Sequence, residues 1–343
     1  MSRDYYGLRA TGRIGDENLA KRIQAATGGD VLFDAFSRGR YATDASHYQI
    51  EPIGVVVPTN SNEVQAVIDI ARDEGLPVLP RGGGTSQCGQ TVGEAIVVDV
   101  NKHMNKVLEF DAESRTARVE PGIVLDHLNT FLKPHGLWFP VDVSTSSRAT
   151  IGGMTGNNSC GSRSIRYGTM RDNVQAVDAF LADGTQMHFG EVTDNRSMTK
   201  FADHQRDLAS QLLGIGRDHE ELIKTQFPDL MRRVGGYNID ALMPAGPNRG
   251  GWNNETVHTT APHPNLAHLL VGSEGTLAFT TAIDIKLQPL PKKKVLGICH
   301  FPKFYDAMNA TQHLVKLGPV AVELVDRTMI DLSRAIPMFT DTV

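Results

Sequence analysis

The amino-acid sequence predicts an α+β fold built from more than one unit. An apolar run, an amphipathic helix and a second apolar run follow one another from Gly54 to Leu79, the pattern of a β-α-β crossover. Strand-like segments with a hairpin signal dominate the stretch from Ala95 to Phe189. A second strand–helix–strand pattern runs from Val295 to Val325. A chain of 343 residues has room for about two domains around a substantial core.

Taken in order, Glu17 to Ala26 is expected to be a short helix, and the residues up to Tyr48 a polar lead-in. Gly54 to Pro58 reads as a strand. Asn60 with Glu63 gives a helix N-cap signal, Val64, Val67, Ile68 and Ala71 share one helical face, and Gly75 with Pro77 stops the helix. Pro77 to Pro80 is the next strand, paired in parallel with the first. Ala95–Val100, Lys106–Phe110 and Thr116–Val119 read as further strands. Val124, Leu125, Leu128, Phe131 and Leu132 make an amphipathic helix that closes near Pro134 and Gly136. Asn173–Ala182 and Thr185–Phe189 flank Asp183-Gly184, a hairpin signal, because glycine supplies positive φ cheaply. Glu191 to Leu230 is charged and helical in pattern, Pro244 to Pro264 reads as a loop, and Leu266 to Leu287 returns to strands. The run Pro289-Leu290-Pro291-Lys292-Lys293-Lys294 marks a boundary.

Composition narrows the function. Thirty-four basic against 39 acidic residues give a net charge of −5, so nucleic acid is not an expected partner. No apolar run approaches the roughly 20 residues of a membrane-spanning helix, and the opening residues show no signal-peptide core, so no integral membrane segment is expected. Cys88, Cys160 and Cys299 are too scattered for a disulfide framework or an iron–sulfur cluster. A cytoplasmic setting is expected, with peripheral attachment at the inner face of a membrane left open.

The stretch with most chemistry is Arg81 to Gln90, RGGGTSQCGQ. Glycines let successive N–H groups turn inward and let a ligand approach the backbone. No Gly-Lys-Ser/Thr follows, so it is not a Walker A loop. An extended segment follows instead of a helix, so it is not a Rossmann fingerprint. Alone it reads equally as a pyrophosphate cradle or a Gly-rich hairpin. Two more glycine-dense stretches, Thr150 to Gly161 and Gly272 to Leu277, favour the cradle.

The ordered set of β-α-β unit, glycine loop, Phe139-Pro140-Val141-Asp142, TIGGMTGNNSCGSRSIRYGTMRDNV (Thr150–Val174), VGSEGTLAF (Val271–Phe279) and AVELVD (Ala321–Asp326) resembles a known superfamily. It is that of the flavin-dependent p-cresol methylhydroxylase and vanillyl-alcohol oxidase enzymes, most of all the D-lactate, glycolate and D-2-hydroxyglutarate dehydrogenases. The resemblance implies a helical lead-in over residues 1–47, a PCMH-type FAD-binding domain of two α+β subdomains over 48–290, and the beginning of an α+β cap domain, cut short, over 291–343. It implies that Arg81, Gly82, Gly83, Gly84, Thr85, Ser86, Gly89 and Gln90 hold the FAD pyrophosphate, through backbone N–H groups and the two hydroxyls. Pro140, Asp142 and Ser144 match the segment that approaches the flavin. Thr150, Ile151, Gly152, Gly153, Asn157, Asn158 and Ser159 would pack against ring and phosphates. Val174 would lie near the adenine, and Glu274, Gly275 and Thr276 would close the site.

Further expectations follow from the same resemblance. The glycine loop has no His, so FAD is expected to be noncovalent, with Cys88 a semi-buried loop thiol; Cys160 stands where related sequences carry a second glycine. His258, His263 and His268 are spaced five apart with prolines between, which fits no metal site, so none is expected. In this branch the substrate-site metal and catalytic His come from a cap-domain motif that would lie beyond Asp326. Substrate-side candidates are therefore Arg232, for a carboxylate, and Tyr237, with His263 the first base to consider. The implied activity is oxidation of a D-2-hydroxy acid (D-lactate, D-2-hydroxyglutarate or glycolate) by hydride transfer to flavin N5, with electrons passed to a quinone, cytochrome or flavoprotein carrier. The alternatives are a noncatalytic FAD-binding subunit that needs a separate cap or partner and, third, a sugar-nucleotide reductase or alcohol oxidase of the same superfamily.

Overall fold

The computed structural model of the protein describes residues 12–193, 202–228, 230, 232–243 and 263–340. Two sheets form the framework of an α+β fold. The first is built from helix α1 (Glu17–Ala26), strand β1 (Asp30–Leu32), helix α2 (Ala35–Tyr41), β2 (Gly54–Val57), helix α3 (Ser61–Glu74), β3 (Val78–Arg81) and β4 (Ile96–Asp99). Its strand order is β1-β2-β4-β3, with β2, β4 and β3 parallel and β1 antiparallel to β2. Helix α3 ends as its sequence dictates: the Asn60 side chain accepts from Glu63 N–H at 3.2 Å, and Gly75 takes φ +66° beyond the last turn. Its expected apolar face, Val64, Val67, Ile68 and Ala71, is buried.

The crossover differs from expectation in one respect. β2 and β3 are parallel but not neighbours, because β4 inserts between them. Ile96, Val97 and Val98 of β4 are fully buried, and a strand apolar on both faces belongs in the sheet interior. The lead-in is also more than polar chain. β1 pairs with β2, and Leu19 and Ile23 of α1 pack with Val64 and Val67 in one core.

The second sheet is antiparallel and five-stranded. It follows β5 (Val107–Asp111), β6 (Thr116–Val119), helix α4 (Leu125–Leu132), the short β7 (Leu137–Trp138), helices α5 (Ile151–Gly156), α6 (Ser164–Tyr167) and α7 (Met170–Asn173), β8 (Val174–Phe180), β9 (Gln186–Phe189), helices α8 (Asp203–Asp218), α9 (Glu220–Gln226) and α10 (Ala267–Leu270), and β10 (Phe279–Lys286). The order is β5-β6-β10-β8-β9, so the expected hairpin β8–β9 is present and the late strand β10 lies in the middle. Leu125, Leu128 and Leu132 of α4 pack on this sheet, whereas Phe131 turns outward onto Phe110, 5.6 Å between centroids. Phe180 and Phe279, from neighbouring strands of the second sheet, reach into the core of the first.

The remaining expectations divide. Leu266 to Leu287 holds one strand, β10, preceded by the single turn α10, because Val271 to Leu277 is spent on tight turns. Strand β11 (Gln288–Pro289) pairs with β7, and helices α11 (Phe304–Leu314) and α12 (Arg327–Ala335) follow. The flanks of α11, Val295 to Phe301 and Val320 to Val325, are not strands. A strand needs a ladder partner, and none is present among the described residues; Val295 is 97% and Leu296 83% exposed. His258 and most of the Pro244–Pro264 loop lie outside the described residues. Among the described residues no helix is long and apolar enough to cross a membrane.

One buried ionic cluster joins the parts. The Arg171 guanidinium, 2% exposed, donates to both carboxylate oxygens of Asp240 at 2.9 Å and to Asn238 Oδ1 at 3.0 Å. Arg233 donates to Asp240 at 2.6 Å. Burial alone raises the Asp240 carboxyl, but the two guanidiniums outweigh it and hold the group below the usual carboxylate range. A depressed folded-state pKa stabilises the fold above the unfolded value of about 4 and loses that contribution as pH falls through the folded value. Asp240→Asn is therefore expected to cost about 3–5 kcal/mol at neutral pH, since it leaves buried guanidinium charge uncompensated. It should also flatten the acid limb of the stability profile below about pH 4. Urea unfolding of both proteins across that range checks this; a parent-like acid limb in the variant would remove the assigned role.

Candidate functional site

The loop after β3 and the segment before α5 form facing walls. Glycine is required in the loop for two different reasons. Gly84 and Gly89 have φ of +62° and +79°, which only glycine adopts without strain. Gly82 and Gly83 do not have positive φ; they are needed for close approach, because a Cβ on Gly82 would run into the Thr150 hydroxyl and one on Gly83 into the Arg148 carbonyl. The Arg81 side chain folds back against Gly84 on the outer side of the loop. Its guanidinium donates to the carbonyls of Tyr41 at 3.0 Å, Thr91 at 3.2 Å and Thr43 at 2.8 Å, and lies 5.1 Å from the Tyr41 ring centroid. Tyr41 is itself fixed by its hydroxyl on Asp99 at 2.7 Å, and Ala45 N–H donates to the Gly84 carbonyl at 3.1 Å. The lead-in thus clamps the glycine loop from behind.

The opposite wall is fixed by side chains bonding to backbone. Thr150 caps α5, its hydroxyl accepting from Gly153 N–H at 3.2 Å. Asn129 of α4 accepts from Phe139 N–H at 2.7 Å and so holds the segment that carries Asp142. The Asp142 carboxylate accepts from the Ser162 hydroxyl at 3.1 Å and from Arg163 N–H at 3.2 Å. Arg232 donates to the Gly161 carbonyl at 3.2 Å. Asn158, fully buried at φ +49°, accepts from Arg171 N–H at 3.0 Å, which ties the Asn157–Ser159 bend to the ionic cluster.

Between these walls lies a cavity of about 830 Å³. Of the residues named from sequence, Gly82 to Ser86, Asp142, Ser144, Thr150, Gly153, Asn157 and Ser159 line it. A narrow adjoining cleft carries Arg81, Gln90, Gly152, Glu274 and Gly275. Gly89, Pro140, Ile151, Asn158, Val174 and Thr276 are on neither surface. Pro140, Ile151, Asn158 and Val174 are buried behind the walls, and the Thr276 hydroxyl pairs with Tyr237 Oη at 2.8 Å. The three substrate-side candidates are not brought together: Arg232 is spent on Gly161, Tyr237 on Thr276, and His263 does not line the cavity. Sequence reasoning missed Asp126, Asn129, Thr145, Ser146, Cys160, Arg163 and Glu323, all on the cavity walls. Only Cys160, Arg163 and Glu323 sit inside quoted motifs; α4 shows in sequence only as an amphipathic helix.

Comparison with known proteins gives matches over most of the chain. Residues 52–190 match the FAD binding domain family, and residues 290–340 match the C-terminal domain of FAD linked oxidases. D-2-hydroxyglutarate dehydrogenase of Pseudomonas putida is 34% identical over 310 residues, covering 89% of this chain and 29% of that protein. Glycolate oxidase subunit GlcD of Bacillus subtilis is 29% identical over 305 residues, covering 87% of this chain and 51% of that protein. The chain therefore spans between about a third and a half of the length of these curated relatives. An alkyldihydroxyacetonephosphate synthase structure shares the fold, with TM-score 0.59 at 18% identity over 89% of this chain and 47% of that one. The chain thus carries a match to an FAD binding domain followed by a match to the C-terminal domain of FAD linked oxidases, and is similar in sequence to D-2-hydroxyglutarate dehydrogenase and to glycolate oxidase subunit GlcD.

Proposed function

We propose that this chain supplies the FAD site of a dehydrogenase that oxidises a D-2-hydroxy acid, with D-2-hydroxyglutarate, D-lactate or glycolate as the candidate substrates. The observation that carries the reading is the cavity where Gly82–Ser86 faces Asp142–Ser146, Thr150, Asn157 and Ser159–Arg163. Its volume is in the range of cofactor sites, and the walls suit the cofactor: Cβ atoms are absent where loop and wall meet, and the hydroxyl-bearing residues Thr85, Ser86, Ser144 and Thr150 line it. Gly82 to Ser86 would hold the pyrophosphate, and Thr150, Gly153, Asn157 and Ser159 the adjoining phosphates and ring. FAD supplies two-electron acceptance at N5; the chain's own contribution is binding and orientation. The substrate class rests on the relatives, which are named for D-2-hydroxyglutarate and glycolate. A quinone, cytochrome or flavoprotein carrier would take the electrons. Attachment is proposed as noncovalent: Cys88 is exposed and off the cavity wall, and Cys160 is the thiol that lines it.

A second reading has one observation in its favour. No histidine lines the cavity among the described residues, so the side chain most often used to take the proton of a substrate hydroxyl near neutral pH is not on these walls. On that reading the chain binds FAD and a cap or partner provides the base.

The purified chain is expected to take up FAD, turn yellow and release the flavin on acid or heat denaturation. A protein that takes up no FAD overturns the reading, and flavin retained after denaturation would point to Cys160. With FAD bound, D-2-hydroxyglutarate oxidation separates the two readings: turnover on the order of 1–10³ per second places the base within this chain.

Gly83→Val should push the loop off the Arg148 carbonyl. Overpacking of this kind costs about 1–3 kcal/mol, which corresponds to roughly tenfold to a hundredfold weaker FAD binding. Thr85→Ala, losing one hydroxyl without moving the loop, should cost about tenfold or less. Gly39→Ala, in a helix with no atom within 4 Å of the new Cβ, is the control. Equal FAD affinity in a folded Gly83→Val variant would show that the cofactor does not use this loop.

A further inference from the structure

Most arginines whose segments build the cavity already have their guanidiniums engaged. Arg81 is spent on three carbonyls, Arg171 and Arg233 on Asp240, and Arg232 on the Gly161 carbonyl. Arg163 is different. It is the one Lys, Arg or His among the described residues that line the cavity. No protein hydrogen bond to its guanidinium is present among the described residues, and its nearest carboxylate, Asp142, is 3.9 Å from Nε, an ion pair without hydrogen-bond contact. The guanidinium is held instead by stacking, 4.8 Å from the ring centroid of Trp138. That ring is buried and fixed by an edge contact with Tyr167 at 5.6 Å. A guanidinium stacked on an indole keeps its in-plane N–H groups available, and their planar fork matches a carboxylate.

We propose that Arg163 anchors the carboxylate of the 2-hydroxy acid in the cavity. The proposal rests on the reading of the cavity as the FAD and substrate site, and moves carboxylate recognition from Arg232 to Arg163. The charges around it support one entry point for an anion. Asp126 and Glu323 also line the cavity, so a carboxylate is repelled elsewhere on those walls. Asp142, the remaining acid there, already accepts from the Ser162 hydroxyl and Arg163 N–H. A direct bidentate pair at about 2.7–2.9 Å is stronger than the present 3.9 Å ion pair, so the incoming carboxylate gains donors that Asp142 does not occupy.

The test uses the FAD-loaded chain and oxalate, a planar stand-in for a 2-hydroxycarboxylate, with perturbation of the flavin absorbance as readout. The parent is expected to show a saturable response. Arg163→Gln should weaken oxalate binding about tenfold to a hundredfold while FAD affinity stays close to that of the parent. Arg163→Lys, which keeps the charge and loses the fork, should recover part of the loss, and it carries the test alone if Arg163→Gln does not fold. An FAD-loaded parent with no oxalate response overturns the proposal, as does an Arg163→Gln response equal to the parent's. Lost FAD affinity in Arg163→Gln with an unchanged oxalate response also overturns it, because the residue then serves a cofactor phosphate. A parent that takes up no FAD is a separate result, which removes the cofactor reading itself.

Discussion

The pairing of Arg171 with Asp240 is the interaction on which the geometry of the cavity depends. It lies in the protein interior, where neither charge is stable alone, so both carboxylate oxygens and the Arg171 Nη1 group that meets them are held in one arrangement. Through Asn158, Arg171 fixes the bend that carries Asn157 and Ser159 onto the wall. Through Asn238, which accepts from Arg171 and donates to the Val271 carbonyl at 2.7 Å, it fixes the turn that presents Glu274 and Gly275 to the adjoining cleft. Segments more than 60 residues apart in sequence are thus set by one ion pair. An apolar cluster of equal volume could match its stability, but it would not specify these hydrogen-bond directions.

The glycine loop is held by a different means. Arg81 closes three carbonyls of Tyr41, Thr43 and Thr91 on the outer side, and the bare Cα atoms of Gly82 and Gly83 lie on Arg148 and Thr150 on the inner side. The loop is therefore clamped between the lead-in and the wall before α5, and its N–H groups are positioned in advance of any ligand. Preorganisation of this kind reduces the ordering cost on binding. It also explains why an arginine begins the motif although its charge does not face the cavity.

The legible part of the molecule is the part governed by local rules. Helix α3 could be read to the residue, because Asn60, Glu63 and Gly75 are capping chemistry and Val64, Val67, Ile68 and Ala71 are periodicity. The hairpin β8–β9 was legible from Asp183-Gly184. The position of β4 between β2 and β3, and of β10 between β6 and β8, was not, since pairing order depends on contacts remote in sequence. The flanks of α11 have strand composition without strand structure, because composition does not supply a ladder partner. At the site, glycines and hydroxyls announced themselves. Asn129 and Ser146 did not, because an ordinary residue on a helix or turn becomes part of a wall only through tertiary packing.

The charge on these walls suggests how a dianionic cofactor and an anionic substrate could share one cavity. The glycine-loop side offers N–H groups and hydroxyls and contributes no Lys, Arg or His to the main cavity. Neutral donors converging on a phosphate stabilise it without creating a cationic patch that would bind any passing anion. Among the described residues, the only cation lining the main cavity is Arg163, and three carboxylates, Asp126, Asp142 and Glu323, line it as well. A second anion therefore has one attractive position and several repulsive ones, and selectivity arises as much from the repulsion as from the pairing. Had Arg81 pointed inward, pyrophosphate and carboxylate would compete for two guanidiniums. On the proposed reading, its rotation onto the Tyr41, Thr43 and Thr91 carbonyls removes that competition and would leave orientation of the second anion to Arg163.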